Sequence, residues 1–121
     1  MSWGLCVDSN EWPRFKHYLK DQGTPAELGF DFMMFTKAGA VVAERKKVPG
    51  DLLASVSDGR LASQCTAMRQ EAQFRFLIAE GTIHYSVDGH VLDGKIPSRW
   101  TRVGIRNLLR SIRFVEGVDV E

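Results

Sequence analysis

Apolar residues change their spacing several times along the chain, and each change marks a new element. Leu5-Cys6-Val7 is a short apolar run ending at Asp8, which predicts a strand. Ser9-Asn10 then offer a helix N-cap and Pro13 suits a first turn. Trp12, Phe15 and Leu19 recur at helical spacing until Gly23 stops the pattern. Two β-prone runs, Leu28 to Thr36 and Ala40 to Lys46, are separated by Lys37-Ala38-Gly39 and read as a hairpin. Pro49-Gly50 opens a short helix carrying Leu52, Leu53 and Val56, closed at Asp58-Gly59. The next helix places Leu61, Cys65, Met68 and Ala72 on one face. Phe74 to Ala79 is an apolar run of strand length, expected to be central and covered on both sides. The stretch Ile83 to Ile96 contains Asp88-Gly89, a two-residue hairpin signal. A last helix is expected from about Arg99 to Phe114, and Gly117 to Val120 begins another strand. This order predicts an α/β domain with a mixed sheet and helices on its faces.

A length of 121 residues is one domain able to bury one sizeable core. With 44% hydrophobic and 26% charged residues the chain is globular rather than disordered. The net charge of +1 gives no global sign of a polyanionic partner, so any nucleic-acid surface must come from local clustering. No apolar run approaches the ~20 residues of a membrane span, and the N-terminus lacks the features of a signal peptide. No membrane partner is expected, and the default setting is cytoplasmic (nuclear in a eukaryote). Cys6 and Cys65 both lie in apolar stretches and read as buried small hydrophobes of a reducing compartment.

The candidate chemistry lies in the first hairpin. Cleaving a phosphodiester without a covalent intermediate needs carboxylates to hold one or two divalent ions. It also needs a cation against the developing charge and an activated water. An Asp opening one strand can place hard oxygen ligands beside an acid-x-Lys closing its partner. The Glu and Lys of such a triplet share a face because they are two residues apart. Asp31 and Glu44-Arg45-Lys46 have this arrangement, and Mg²⁺ or Mn²⁺ is the natural ion for an all-oxygen site. By spacing alone, a solvent-facing Glu/Lys pair at a sheet edge is the competing reading.

Three segments carry a family resemblance. Val7-Asp8-Ser9-Asn10-Glu11 is similar to a Val-Asp-x-x-Glu opening, and Glu44-Arg45-Lys46 is similar to a signature triplet, followed by Asp51-Leu52-Leu53. Asp58-Gly59-Arg60-Leu61-Ala62-Ser63-Gln64 is similar to a Gly-Arg-Leu-x-x-Gln helix start. In this order they resemble the XPF-type structure-specific nuclease domain, a branch of the PD-(D/E)xK superfamily. The resemblance implies a restriction-endonuclease-like mixed central sheet flanked by helices, over residues 1–121. It also implies a Mg²⁺-dependent (or Mn²⁺-dependent) DNA endonuclease of repair or recombination, acting on branched or flapped DNA as a homodimer or heterodimer. Asp31, Glu44 and Asp8 would then be metal ligands and catalytic acids. Lys46 would stabilise the attacked phosphate or orient the water, and Asp51 would support the site from the following helix. Arg45, on the opposite strand face, with Arg60, Gln64 and Glu11, would support the site indirectly.

The pattern also departs from the family. Gly29-Phe30-Asp31 stands where Gly-Asp is usual, the hairpin is longer, and Asp51 follows Lys46 by five positions rather than four. No helix-hairpin-helix pair follows, and the family fold usually continues with another helix where this chain stops. Two other readings compete: a non-catalytic DNA-binding or scaffolding subunit of such a nuclease, and a restriction- or recombination-type PD-(D/E)xK nuclease.

A further reading does not depend on the family. Arg99, Arg102, Arg106, Arg110 and Arg113 share one arc of the last expected helix, and no acid lies between Lys95 and Val115. They either contact phosphates or pair with acids elsewhere in the fold or in a second subunit. Trp100 adjoins this stripe as a candidate for stacking on bases, whereas Trp12 reads as core and Trp3 as a terminal cover. His84, His90 and Asp93 form a weak candidate transition-metal set.

Overall fold

The structure is a computed structural model that describes residues 5–14, 23–26 and 28–121. Eight strands and three complete helices are described, in the order β1 (Leu5–Asp8), β2 (Gly23–Ala26), β3 (Phe32–Thr36), β4 (Gly39–Lys47), α1 (Gly50–Ser57), α2 (Arg60–Glu71), β5 (Phe74–Glu80), β6 (His90–Asp93), β7 (Ile96–Thr101), α3 (Arg102–Phe114) and β8 (Asp119–Val120). Residues 12–14 are helical after the turn at Ser9-Asn10. The rest of the helix expected there, including Phe15 and Leu19, lies outside the described residues, as does Trp3.

Six strands form one mixed sheet in the order β2-β1-β3-β4-β5-β8. The hairpin read from the sequence is present, pairing Phe32 with Ala43 through to Thr36 with Gly39. Its turn at Lys37-Ala38 is closed by the Thr36 hydroxyl, which donates to the Gly39 carbonyl (2.7 Å) and accepts from the Ala38 N–H (3.2 Å). β5 then lies parallel to β4 after the crossover through α1 and α2, in the register Val41–Phe74 to Lys47–Glu80. Every second residue of β4 (Val42, Glu44, Lys46) is buried beneath the helices. Val42 and Leu77 of the sheet meet Leu52 of α1, Leu61, Cys65 and Met68 of α2, and Ile112 of α3 in one core. Each such aliphatic side chain contributes ~1.5–3 kcal/mol.

Several expectations are corrected. Gly23 does not only end a helical pattern: it opens β2, which pairs parallel to β1. Pro25 is tolerated there because β2 is an edge strand. β5 is not covered on both sides: Leu77 is fully buried, but Phe74 and Ile78, on the other face, are 37% and 39% exposed. The Asp88-Gly89 turn brings Tyr85 against Val91 in an isolated bridge, but the main hairpin of the region turns at Gly94-Lys95 between β6 and β7. α3 starts at Arg102 rather than Arg99, because residues 96–101 pair with β6 and Thr101 is the N-cap. Among the described residues no helix is long and apolar enough to cross a membrane.

Candidate active site

The hairpin and β1 assemble the acidic site through their backbones. The Asp31 N–H donates to the Ala43 carbonyl (3.1 Å), and its carboxylate accepts from the Arg45 N–H (2.7 Å). Asp31 is therefore clamped to β4 on both sides of Glu44. The Asp8 N–H donates to the Asp31 carbonyl (2.8 Å), which ties the end of β1 to the same place. Asp8, Asp31, Glu44 and Gln64 of α2 face one polar cavity of about 200 Å³. Lys46, two residues beyond Glu44 on the same strand face, is buried.

Glu44 is only 2% exposed. Burial, then the hydrogen bond it makes with Asp31 and the Asp31 charge, push its carboxyl up to about 9; the Lys46 charge acts the other way. At neutral pH and without a cation, Glu44 therefore keeps its proton. Glu44 Oε2 and Gln64 Oε1 are both buried with no hydrogen-bond partner. Two buried polar oxygens without a partner in the protein thus face one cavity.

The donor set is all oxygen, which suits a hard divalent ion. Among the described residues no three His, Cys, Asp or Glu side chains converge closely enough to hold an ion by themselves. Mg²⁺ does not demand that, since it keeps several waters and binds through one or two carboxylates. Asp31 and Glu44 fit that role. Asp8 is differently engaged: its two oxygens accept from the N–H groups of Leu28 (2.9 Å) and Asn10 (3.2 Å). It holds the segment leading to Asp31 in place.

The other candidates are distributed around this centre. Asp51 does not line the cavity; it accepts from the Lys47 N–H (3.3 Å) in the first turn of α1. Arg45 faces the other side of the sheet, as alternation requires, and pairs with Glu11 (3.1 Å) and Glu80. Glu11 is thus an anchor for Arg45, and no spacing rule would have pointed to Glu80. Arg60 is exposed and pairs with Asp58 (2.7 Å), whereas Gln64, one helical turn later, reaches the cavity. The Gly-Arg-Leu-x-x-Gln segment therefore splits into a surface arginine and a cavity amide.

Arg99 sits on β7, and Arg102, Arg106 and Arg110 are exposed along α3. Trp100 of β7 is half-buried, lines a cavity with Leu53 and Ala54 of α1, and has its ring beside Gly104 of α3. His84, His90 and Asp93 do not converge; His90 Nδ1 instead bonds the Ser98 carbonyl (2.9 Å). Both cysteines are free thiols. Cys65 is buried, and burial pushes its thiol up to about 11, whereas Cys6 is only partly covered.

The fold is shared with solved proteins. The chain is similar to XPF from Aeropyrum pernix at a TM-score of 0.65 and 20% identity, covering 98% of this chain and 55% of that one. It is similar to the XPF from Aeropyrum pernix in complex with DNA at 0.64 and 22%, covering 97% and 54%. It thus spans about half the length of the solved chains it matches. No curated protein sequence matches it. The ERCC4 domain model matches residues 5–121, nearly the whole chain. The chain belongs to the ERCC4 domain family.

Proposed function

We propose that this domain hydrolyses DNA phosphodiester bonds with Mg²⁺ or Mn²⁺, at branched or flapped junctions. The observation that carries the reading is Glu44, buried beside Asp31 with an unpartnered oxygen at a polar cavity, in a chain of the ERCC4 family. Asp31 and Glu44 would hold the ion, and Asp8 fixes the backbone that presents Asp31. When bound, such an ion would polarise the phosphate and activate a water. Lys46 sets a positive charge on the same strand face, where negative charge develops on the attacked phosphate. Gln64, whose Oε1 has no partner within the protein, would accept from a water in the cavity and orient it.

A non-catalytic scaffolding subunit is the weaker reading, because it has no use for a carboxyl group kept in so unfavourable a setting. DNA as the partner draws support from the Aeropyrum pernix protein solved with DNA. A restriction- or recombination-type activity would differ in substrate geometry rather than in these residues. The deciding experiment is a cleavage assay with Mg²⁺ on duplex, single-stranded, flap and four-way junction DNA. Glu44→Gln and Lys46→Ala should each lower the rate by at least ~100-fold, with the fold retained by circular dichroism. Glutamine mimics the protonated carboxyl that the metal-free fold already contains. Near wild-type turnover in either variant, or no cleavage of any substrate by the wild type, overturns the proposal.

A further inference from the structure

The arginines of α3 lie in a groove, separate from the acidic cavity. Tyr85, Arg102, Arg106, Arg110 and Arg113 form its rim, and Ile105, Leu109 and Val120 give it an apolar floor, enclosing about 460 Å³. The Arg102 guanidinium lies 4.4 Å above the centre of the Tyr85 ring, which holds it at the rim. Like charges three and four positions apart repel, and α3 has no acid of its own to relieve this. Of the four α3 arginines only Arg113 is paired with a carboxylate among the described residues, Asp119 at 3.8 Å. The apolar floor takes the alkyl stems of these side chains and leaves the guanidinium heads at the opening.

The groove is placed to serve the acidic site. Ile112 of α3 packs in the same core as Val42 and Leu77, so α3 lies on the sheet face that carries Glu44. It packs against β7 and β8, and β8 is the edge opposite β2. At ~4.8 Å per strand, β8 stands roughly 10 Å from β4 and 20 Å from β1. That distance is roughly three to six base pairs of duplex at 3.4 Å each.

We infer that the Tyr85–Arg102–Arg106–Arg110–Arg113 groove holds the sugar-phosphate backbone of a DNA arm a few base pairs from the site of cleavage. The inference rests on the nuclease reading. Guanidinium forks suit phosphate oxygens, and a row of them positions a duplex without reading its sequence.

The test is the salt dependence of binding to an unbranched duplex of about 30 base pairs, in EDTA so that no cleavage occurs. Each lost phosphate contact lowers the slope of log affinity against log salt by about 0.9. For Arg106→Ala/Arg110→Ala, wild type should therefore lose ~12-fold more affinity than the variant between 50 and 200 mM salt. The effect should be equal on unrelated sequences, and Arg106→Lys/Arg110→Lys should restore most of the slope by restoring the charge. An unchanged slope in the alanine variant overturns the inference, with or without a change in self-association by sedimentation. So does a loss confined to one sequence. Failure of the nuclease reading appears separately, as absence of cleavage with Mg²⁺ while the slope still responds to the arginines.

Discussion

Glu44 buries a carboxyl group with one oxygen that no group of the protein hydrogen-bonds. Its folded-state value of about 9 lies well above the 4.5 of an exposed glutamate. Between those values the folded chain binds a proton that the unfolded chain has released. Without a cation, the stability that Glu44 contributes through this proton is therefore complete below about pH 4.5 and falls as pH rises towards 9. Glu44→Gln should flatten this fall, measured as melting temperature in EDTA across pH 5–9. Because an ion must displace the proton, Mg²⁺ should raise the melting temperature more at pH 8 than at pH 6. Parallel pH profiles for wild type and Glu44→Gln would show that the proton is held elsewhere. At this scale the alternation of β4 was legible beforehand: it put Glu44 and Lys46 on one face and Arg45 on the other. What Arg45 pairs with was not, since Glu80 reaches it only through the parallel register of β4 and β5.

At the scale of elements, α3 shows how tertiary pairing trims a helical pattern. The spacing that includes Arg99 is helical on paper, but β6 recruits residues 96–101 as a strand. Thr101 then takes over as N-cap, its hydroxyl accepting from the Gly104 N–H at 3.0 Å. Removing that acceptor with Thr101→Ala should cost about 1 kcal/mol, or roughly 3–5 °C in melting temperature. The first turn of the helix, with Arg102, would fray first. Thermal denaturation checks the magnitude, and unchanged hydrogen exchange at Gly104 would show that the cap carries none of it. The same logic separates Arg60 from Gln64. Both belong to one motif, but only the residue one turn further along α2 meets the cavity.

Across the whole molecule, a net charge of +1 conceals a separation. Acids gather where β1, β3 and β4 meet, and arginines line the same face near the edge at β8. Charge summed over the chain therefore hides the local fields that a polyanion would meet. The XPF-type resemblance further implies pairing through this domain, and a two-fold arrangement is the commonest form. Apolar side chains left open at Phe74, Ile78 and Phe114 leave surface for such contact. Sedimentation of the wild type should show average mass rising with concentration into the high micromolar range. A constant monomer mass over that range would count against pairing by this domain.

Local sequence determined the hairpin, the helices after Pro49-Gly50 and Gly59, the helical face of Leu61, Cys65, Met68 and Ala72, and the shared face of Glu44 and Lys46. These depend on periodicity and turn residues within a few positions of one another, so local patterning suffices to specify them. Tertiary structure alone decided which distant groups meet. The Asp8 carboxylate is taken by the N–H groups of Asn10 and Leu28, and Asp51 by Lys47; Gln64 enters the cavity while Arg60 stays outside. It also decided that β2 forms at an edge, that Phe74 and Ile78 of β5 stay partly exposed, and that Arg99 leaves the helix. The physical reason is the same in each case. Backbone hydrogen bonds between strands far apart in sequence outweigh local propensity, and a buried polar atom takes whichever partner the packed chain brings to it.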